Sequence, residues 1–369
     1  MIRGENLIKV SLTAFLLICL TNISLFACTD FQIKAEDGSV LVARTNEFSI
    51  PANSNIVFEP AGKSFLSKTP DGKKGLSWKS LYGFIALNGM GLDEKFIDGM
   101  NEAGLSVGML LFVDSKYETI DKESEGMALS NLDLCSWILG NFATVEELKK
   151  ELPNIRVWLE SIPEIGEPLP LHVSVHDATG KSIVIEFING EKKVYDNPIG
   201  VMTNMPEFPW QVTNLRTFVN SNPFNPDAKN FSGITTGPFG QGSGWLGIPG
   251  DWTPPSRFVR IAYALNSASP VKDTREALNL AGHIINIVDI PLGVIKEKGK
   301  NGTALSEYTQ WTVFKDLTNK IMYFKTYDNA NLRFIDLKKL LLYKTGDLRV
   351  ISITVGNGPE ELTSKLIYY

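Results

Sequence analysis

Cysteine is scarce in this chain. Cys19, Cys28 and Cys135 are the only three in 369 residues, too few for a disulfide framework in a domain of this size. Basic clusters are scarce as well. "GEKKVYD" and "IKEKGK" are short and suit solvated turns, and with a formal net charge of −5 no broad positive face for nucleic acid is expected. No apolar run reaches the ~18 residues that suggest a membrane span. Metal and phosphate patterns are missing too. His172 and His176 in "LHVSVHD" share a strand face beside Asp177 but want a third ligand at short range, so they read as strand packing. "GQGSG" lacks the strand–turn–helix context and the lysine of a phosphate loop, and reads as a loop over or near a pocket. No metal and no cofactor is expected.

What is present starts at the N-terminus. Arg3 and Lys9 flank the apolar "VSLTAFLLICL", followed by polar "TNIS" and then "LFA". A charged start, a short apolar centre and a small residue at the cut are the features of a secretory signal peptide. The expected organisation is therefore a signal over 1–27 and one domain over 28–369, exported and beginning at Cys28. Three roles compete for that cysteine. Leu25 and Ala27 in "LFAC" suit a lipoprotein cut, although Phe26 does not, so Cys28 could carry a lipid and tie the protein to a membrane. It could pair with Cys135 in a disulfide. Or it could act as a nucleophile, because an α-amine titrating near ~7.7–8.0 can take the proton of a thiol titrating near ~8.5. The junction alone leans slightly toward lipid.

Further along, "FQIKA" and "SVLVART" joined by "EDGS" read as a β-hairpin, and "FIDGMNEAGLSVGMLLF" as a second one turning at Asn101–Gly104. "NLDLCSWILGNFATVEELKKELP" has helical spacing, with Thr144 and Glu147 placed as a capping box. Strand patterns follow from "LPLHVSVHD" to "GVMTN". Residues 220–255 are rich in glycine and proline and read as a long functional loop. Two helical patterns, "SRFVRIAYALNSA" and "TREALNLAGHIINIV", precede closing strands. Strands and helices in blocks, without regular alternation, indicate an α+β fold with antiparallel sheets.

Six stretches in order, "CTDF", "ARTNEF", "DGMNEAGLSVGMLLF", "GVMTNMPEFPWQVTNL", "IPGDWTPPSRFVR" and "YTQWTVFKDLTNKIMYFKTYDN", make the chain resemble the choloylglycine hydrolase family. That family, with its bile salt hydrolases and penicillin V acylases, is a branch of the N-terminal-nucleophile hydrolases. The resemblance implies a four-layer αββα sandwich and hydrolysis of a linear amide through an acyl-thioester. Cys28 matches the nucleophile and Arg44 the arginine beside the thiol. Glu47 stands where many members carry an aspartate that orients the terminal amine. Asn204 matches the oxyanion asparagine and Arg257 the second active-site arginine, with Arg260 left to a structural role. Leu111 departs from the polar residue usual there and, with Met109, implies an apolar substrate pocket. The expected substrate is a small N-acyl amide with an apolar acyl part; penicillin V and bile salts are the other types the family allows. Members are often tetramers, so homo-oligomerisation is allowed. The rival expectation is an exported lipoprotein, lipidated at Cys28, that binds a hydrophobic ligand without turnover.

Overall fold

A computed structural model describes residues 27–162, 167–298, 302–342 and 349–354, together with 363 and 366–368. Most of the expected signal peptide, and Cys19 with it, lies outside the described residues.

The first hairpin sets the frame. Strands β1 (Cys28–Lys34) and β2 (Val40–Phe48) pair antiparallel with Asp30 opposite Arg44, and Gly38 in the turn has φ +86°, where a side chain would be strained. There follow β3 (Asn55–Glu59), β4 (Phe84–Asn88), β5 (Phe96–Asn101), β6 (Leu105–Leu111), β7 (Leu171–Asp177), β8 (Ser182–Ile188), β9 (Glu191–Asp196) and β10 (Val201–Met202). The chain closes with β11 (Ile295–Lys298), β12 (Ala304–Asp316), β13 (Ile321–Thr326), β14 (Asn329–Asp336), β15 (Arg349–Ser352) and β16 (Ile367–Tyr368). A seven-stranded sheet runs β10-β1-β2-β12-β13-β14, with β11 also paired to β12. A nine-stranded sheet runs β9-β8-β7-β6-β5-β4-β3-β15-β16. Every neighbouring pair in both is antiparallel.

Side-chain alternation assigns the layers. On β2, Val40 and Val42 turn inward against Ile56, Ile85 and Leu87 of the opposite sheet. Leu41 and Ala43 turn outward, where the helices Pro254–Ser267 and Thr274–Asn286 cover them with Phe258, Ile261, Ala277 and Ala281. Helices Leu134–Asn141 and Val145–Glu151 cover the outer face of the larger sheet through Leu134, Ile138 and Leu148. The result is the expected four-layer αββα sandwich. Thr144 caps the second of these helices by accepting from the Glu147 N–H, and the Glu147 carboxylate accepts from Ala143 N–H.

One expectation needs correction. Residues 220–255 are not without structure: they hold a small hairpin, Lys229–Phe231 with Ile234–Thr236, and "GQGSG" lines neither cavity at Cys28. The disulfide is absent, since Cys28 and Cys135 are both free and buried in different elements. His172 and His176 bond to Glu186, Thr203, Asp30 and Gln32, and no group able to hold a metal occurs among the described residues.

The same alternation places charge between the sheets. Asp30, Arg44 and Lys315 lie inside with Asp98, which accepts from Arg44 at 3.4 Å and Lys315 at 2.8 Å, all essentially inaccessible. Removing one member strands the others in a medium that solvates charge poorly. Asp98→Ala should therefore lower unfolding free energy by about 3–5 kcal/mol, read from urea midpoints. Glu191→Ala breaks only the exposed pair with Lys193 and should leave the midpoint unchanged. Equal effects of the two would refute the assignment.

Candidate active site

Cys28 is the first residue of β1 and is only 4% exposed. Each of its polar groups meets a different partner. Its N–H donates to Asn204 Oδ1 at 2.7 Å. Its carbonyl accepts from Arg257 Nη1 at 2.5 Å. Its Sγ lies 4.0 Å from Arg44 Nη2. Burial pushes the thiol above its ordinary pKa, Glu47 adds to that, and Arg44, the Glu47 N–H and Arg257 pull it back. A thiol in this setting keeps its proton near neutrality, so it needs a base to become a nucleophile.

Arg44 is fixed from three sides. It pairs with Asp98, donates to the Met109 carbonyl at 2.5 Å, and stacks over Trp311 at 5.1 Å. Despite burial, the surrounding acids Asp98, Asp30 and Glu47 and the Cys28 thiol hold its pKa above the usual arginine value. Glu47 follows a register shift between Asn46 and Glu47 on β2, and accepts from Thr309 Oγ1 at 2.7 Å and Thr45 Oγ1 at 3.0 Å. Burial pushes its carboxyl up to about 8, against the pull of Arg257 and the two threonines.

Asn204 follows β10 and comes just before the cis Met205–Pro206 bond. Its Oδ1 accepts from both Cys28 N–H and Arg257 Nη2, the latter at 2.8 Å. Its Nδ2 donates one hydrogen to the Leu111 carbonyl at 2.8 Å, which leaves the second for an oxyanion. Arg257 sits in the first turn of its helix, fully buried, and also donates to Thr29 Oγ1 and the Trp252 carbonyl. Arg260 binds the carbonyls of Pro249 and Asp251 instead, away from Cys28. The expected residues Cys28, Arg44, Glu47, Asn204 and Arg257 thus converge on one point.

Two cavities meet there, and Leu111 lines both. The first, about 630 Å³, is bounded by Cys28, Met109, Phe96, Ile97, Leu132 and Leu171 and is overwhelmingly apolar. The second, about 760 Å³, lies on the Ala27 side. It contains Glu307, a buried carboxylate that sequence reasoning missed although the motif "YTQW" starts at the next residue. Its Oε1 accepts from the Ala27 N–H, and burial pushes its carboxyl up to about 7. The strand period was the available signal, because Glu307, Thr309 and Trp311 alternate along β12.

Both raised carboxyls have a consequence for stability with Ala27 attached. A carboxyl whose pKa rises on folding favours the folded state fully below its unfolded value, and that contribution is lost as pH climbs through the folded value. The urea midpoint should therefore fall between pH 5 and pH 8. Glu47→Gln should shrink the fall, while a fall of unchanged size would show that Glu47 does not carry the effect.

Comparison with known proteins identifies the family. The family model described as "Linear amide C-N hydrolases, choloylglycine hydrolase family" matches residues 28–354. A bile salt hydrolase/transferase of Clostridium perfringens is 35% identical over 328 residues, covering 85% of this chain and 93% of that protein. A penicillin V acylase of Pectobacterium atrosepticum is 25% identical over 363 residues, covering 92% and 89%. Among solved structures, a variant of the conjugated bile acid hydrolase from Clostridium perfringens superposes with a TM-score of 0.78 at 29% identity, covering 90% of this chain and 98% of that one. The penicillin V acylase from Agrobacterium tumefaciens gives 0.75 at 26%, covering 93% and 98%. With a family match over most of its length and this fold, the chain belongs to the choloylglycine hydrolase family of linear amide C–N hydrolases.

Proposed function

We propose that the chain is an exported amidase, freed of residues 1–27, in which Cys28 is an N-terminal nucleophile acting on N-acyl amides with an apolar acyl part. The observation that carries this reading is that the nitrogen, carbonyl and sulfur of Cys28 are each held by a separate side chain where two cavities meet. The family match also begins at Cys28. Once the Ala27–Cys28 bond is gone, the nitrogen becomes an amine close to its own thiol. It takes the thiol proton, and the thiolate attacks the substrate carbonyl. The oxyanion receives the free Asn204 Nδ2 hydrogen, and fixed neutral donors of this kind are worth several kcal/mol in acyl transfer, of order ~3–4. The amine then protonates the leaving nitrogen, and water activated by the same amine hydrolyses the thioester.

Charge supply supports the cut. In the chain with Ala27 attached, Glu47 is pushed up to about 8 with Arg257 as the cation pulling it down. A new ammonium on Cys28 adds a positive charge in reach of Glu47 and returns its carboxyl toward the ionised form, which in turn holds the amine. The apolar cavity beside Met109 and Leu111 suits the acyl part, because it offers hydrophobic contact and Lys95 at its edge is tied to Asp133.

Lipidation at Cys28 is the other reading of the junction. A lipid anchor must reach a bilayer, which a sulfur buried between two sheets opposes. The intact mass of the exported protein separates the two: a free Cys28 supports the amidase, and a lipid adduct sinks it. Cys28→Ala should lower kcat/KM on N-acyl amides at least ~1,000-fold, and Asn204→Ala should lower kcat by ~100–1,000-fold. Self-association is part of the proposal. Phe231, Ile234 and Phe239, in and next to the hairpin of residues 229–236, are 60%, 69% and 100% exposed and supply an apolar surface for it.

A further inference from the structure

The two cavities are not interchangeable. The amine of Cys28 has to deliver a proton to the leaving nitrogen, so the leaving group lies on the amine's side. Ala27, joined to that nitrogen, marks the side, and it lines the second cavity. The acyl part is left with the apolar first cavity. This assignment of sides rests on the proposed reaction.

Glu307 is the sole charged residue among the described residues lining the second cavity. It is 2% exposed, and its Oε1 accepts from the Ala27 N–H, three bonds before the Cys28 nitrogen. Removing residue 27 deprives that oxygen of its donor and leaves it facing the space a leaving amine would fill. Nearby charge does not offset it. Glu297 adds to the rise in its pKa, and Arg257 pulls it back only from a distance. Arg257 is committed elsewhere, donating through Nε to Trp252, through Nη1 to Cys28 and Thr29, and through Nη2 to Asn204. Among the described residues that line this cavity, none is a lysine or arginine that could receive a negatively charged leaving group.

We propose that Glu307 selects the leaving group by charge: the second cavity takes N-acyl amides whose amine portion carries an ammonium or a neutral hydrogen-bond donor, and disfavours those ending in carboxylate or sulfonate. A buried carboxylate facing an opposite charge attracts it strongly, and facing a like charge repels it with no water to screen the pair.

The test uses the mature enzyme at pH 8 and three decanoyl amides, made from ethylenediamine, ethanolamine and glycine. The acyl part is constant, so ratios of kcat/KM isolate the leaving group. The ammonium compound should exceed the carboxylate compound at least tenfold, with ethanolamine between them. In Glu307→Gln, which keeps the size and a hydrogen-bonding oxygen, the ratio should fall toward one. A wild-type preference for the glycine conjugate overturns the assignment without any variant, and so does an unchanged ratio in Glu307→Gln. Turnover of all three at similar rates would leave the amidase standing and this inference refuted. Turnover of none would overturn the proposed reaction itself.

Discussion

The guanidinium of Arg257 closes a ring on which the site depends. One arm donates to the Cys28 carbonyl, and the other to Asn204 Oδ1, which in turn accepts from the Cys28 N–H. A chain end is ordinarily the least ordered part of a domain. Here the first residue of β1 has its nitrogen and carbonyl fixed together by groups more than 170 positions away in sequence. Arg257 can do this because its helix starts with two prolines and lies across β1, which puts the first turn over the strand's beginning. Lysine would not serve in its place, since one ammonium cannot present a planar fork to two separated acceptors.

The small and large sheets contribute unequal things. From the small sheet come Cys28, Arg44, Glu47 and Glu307, all on neighbouring strands, so backbone pairing fixes their spacing. The large sheet supplies the walls and two carbonyls: Met109 receives Arg44, and Leu111 receives Asn204. The Met109 and Leu111 side chains of that same strand also line the apolar cavity. One strand therefore orients two polar site residues with its backbone and shapes the pocket with its side chains. Substituting Leu111 changes the pocket without touching the hydrogen bond to Asn204, and a polar residue there is not needed to hold the asparagine.

Much of this is legible in the amino-acid sequence. The hairpins, the helices and the α+β class followed from period and turn chemistry, and Cys28, Arg44, Asn204 and Arg257 from short stretches with recognisable company. Three things were not. The charge state of Glu47 depends on burial and on Thr309, which joins it only through the β2–β12 register. Glu307 carries no motif of its own, and its meaning comes from the cavity it faces. The Asp30–His176–Ser174 cluster joins three residues across two sheets, and from sequence the two histidines were strand packing and no more. Strand alternation says which residues turn inward; it does not say which strand of the other sheet they will meet.

That cluster also explains why one buried acid near the site is structural while another is free to act. Burial pushes the Asp30 carboxyl up, yet His176, Lys315 and Ser174 outweigh it and hold the group below the usual carboxylate range. Its charge is compensated whatever happens at the N-terminus. Glu47 and Glu307 face the same burial with poorer compensation, and both are held well above that range while Ala27 is attached. A carboxyl balanced at about neutral pH responds to a single added or removed charge, whereas one already compensated does not. The fold thus keeps the compensated Asp30 between the sheets and the responsive Glu47 and Glu307 at the edge where β1 begins. Only there can an amine or a substrate supply the missing charge.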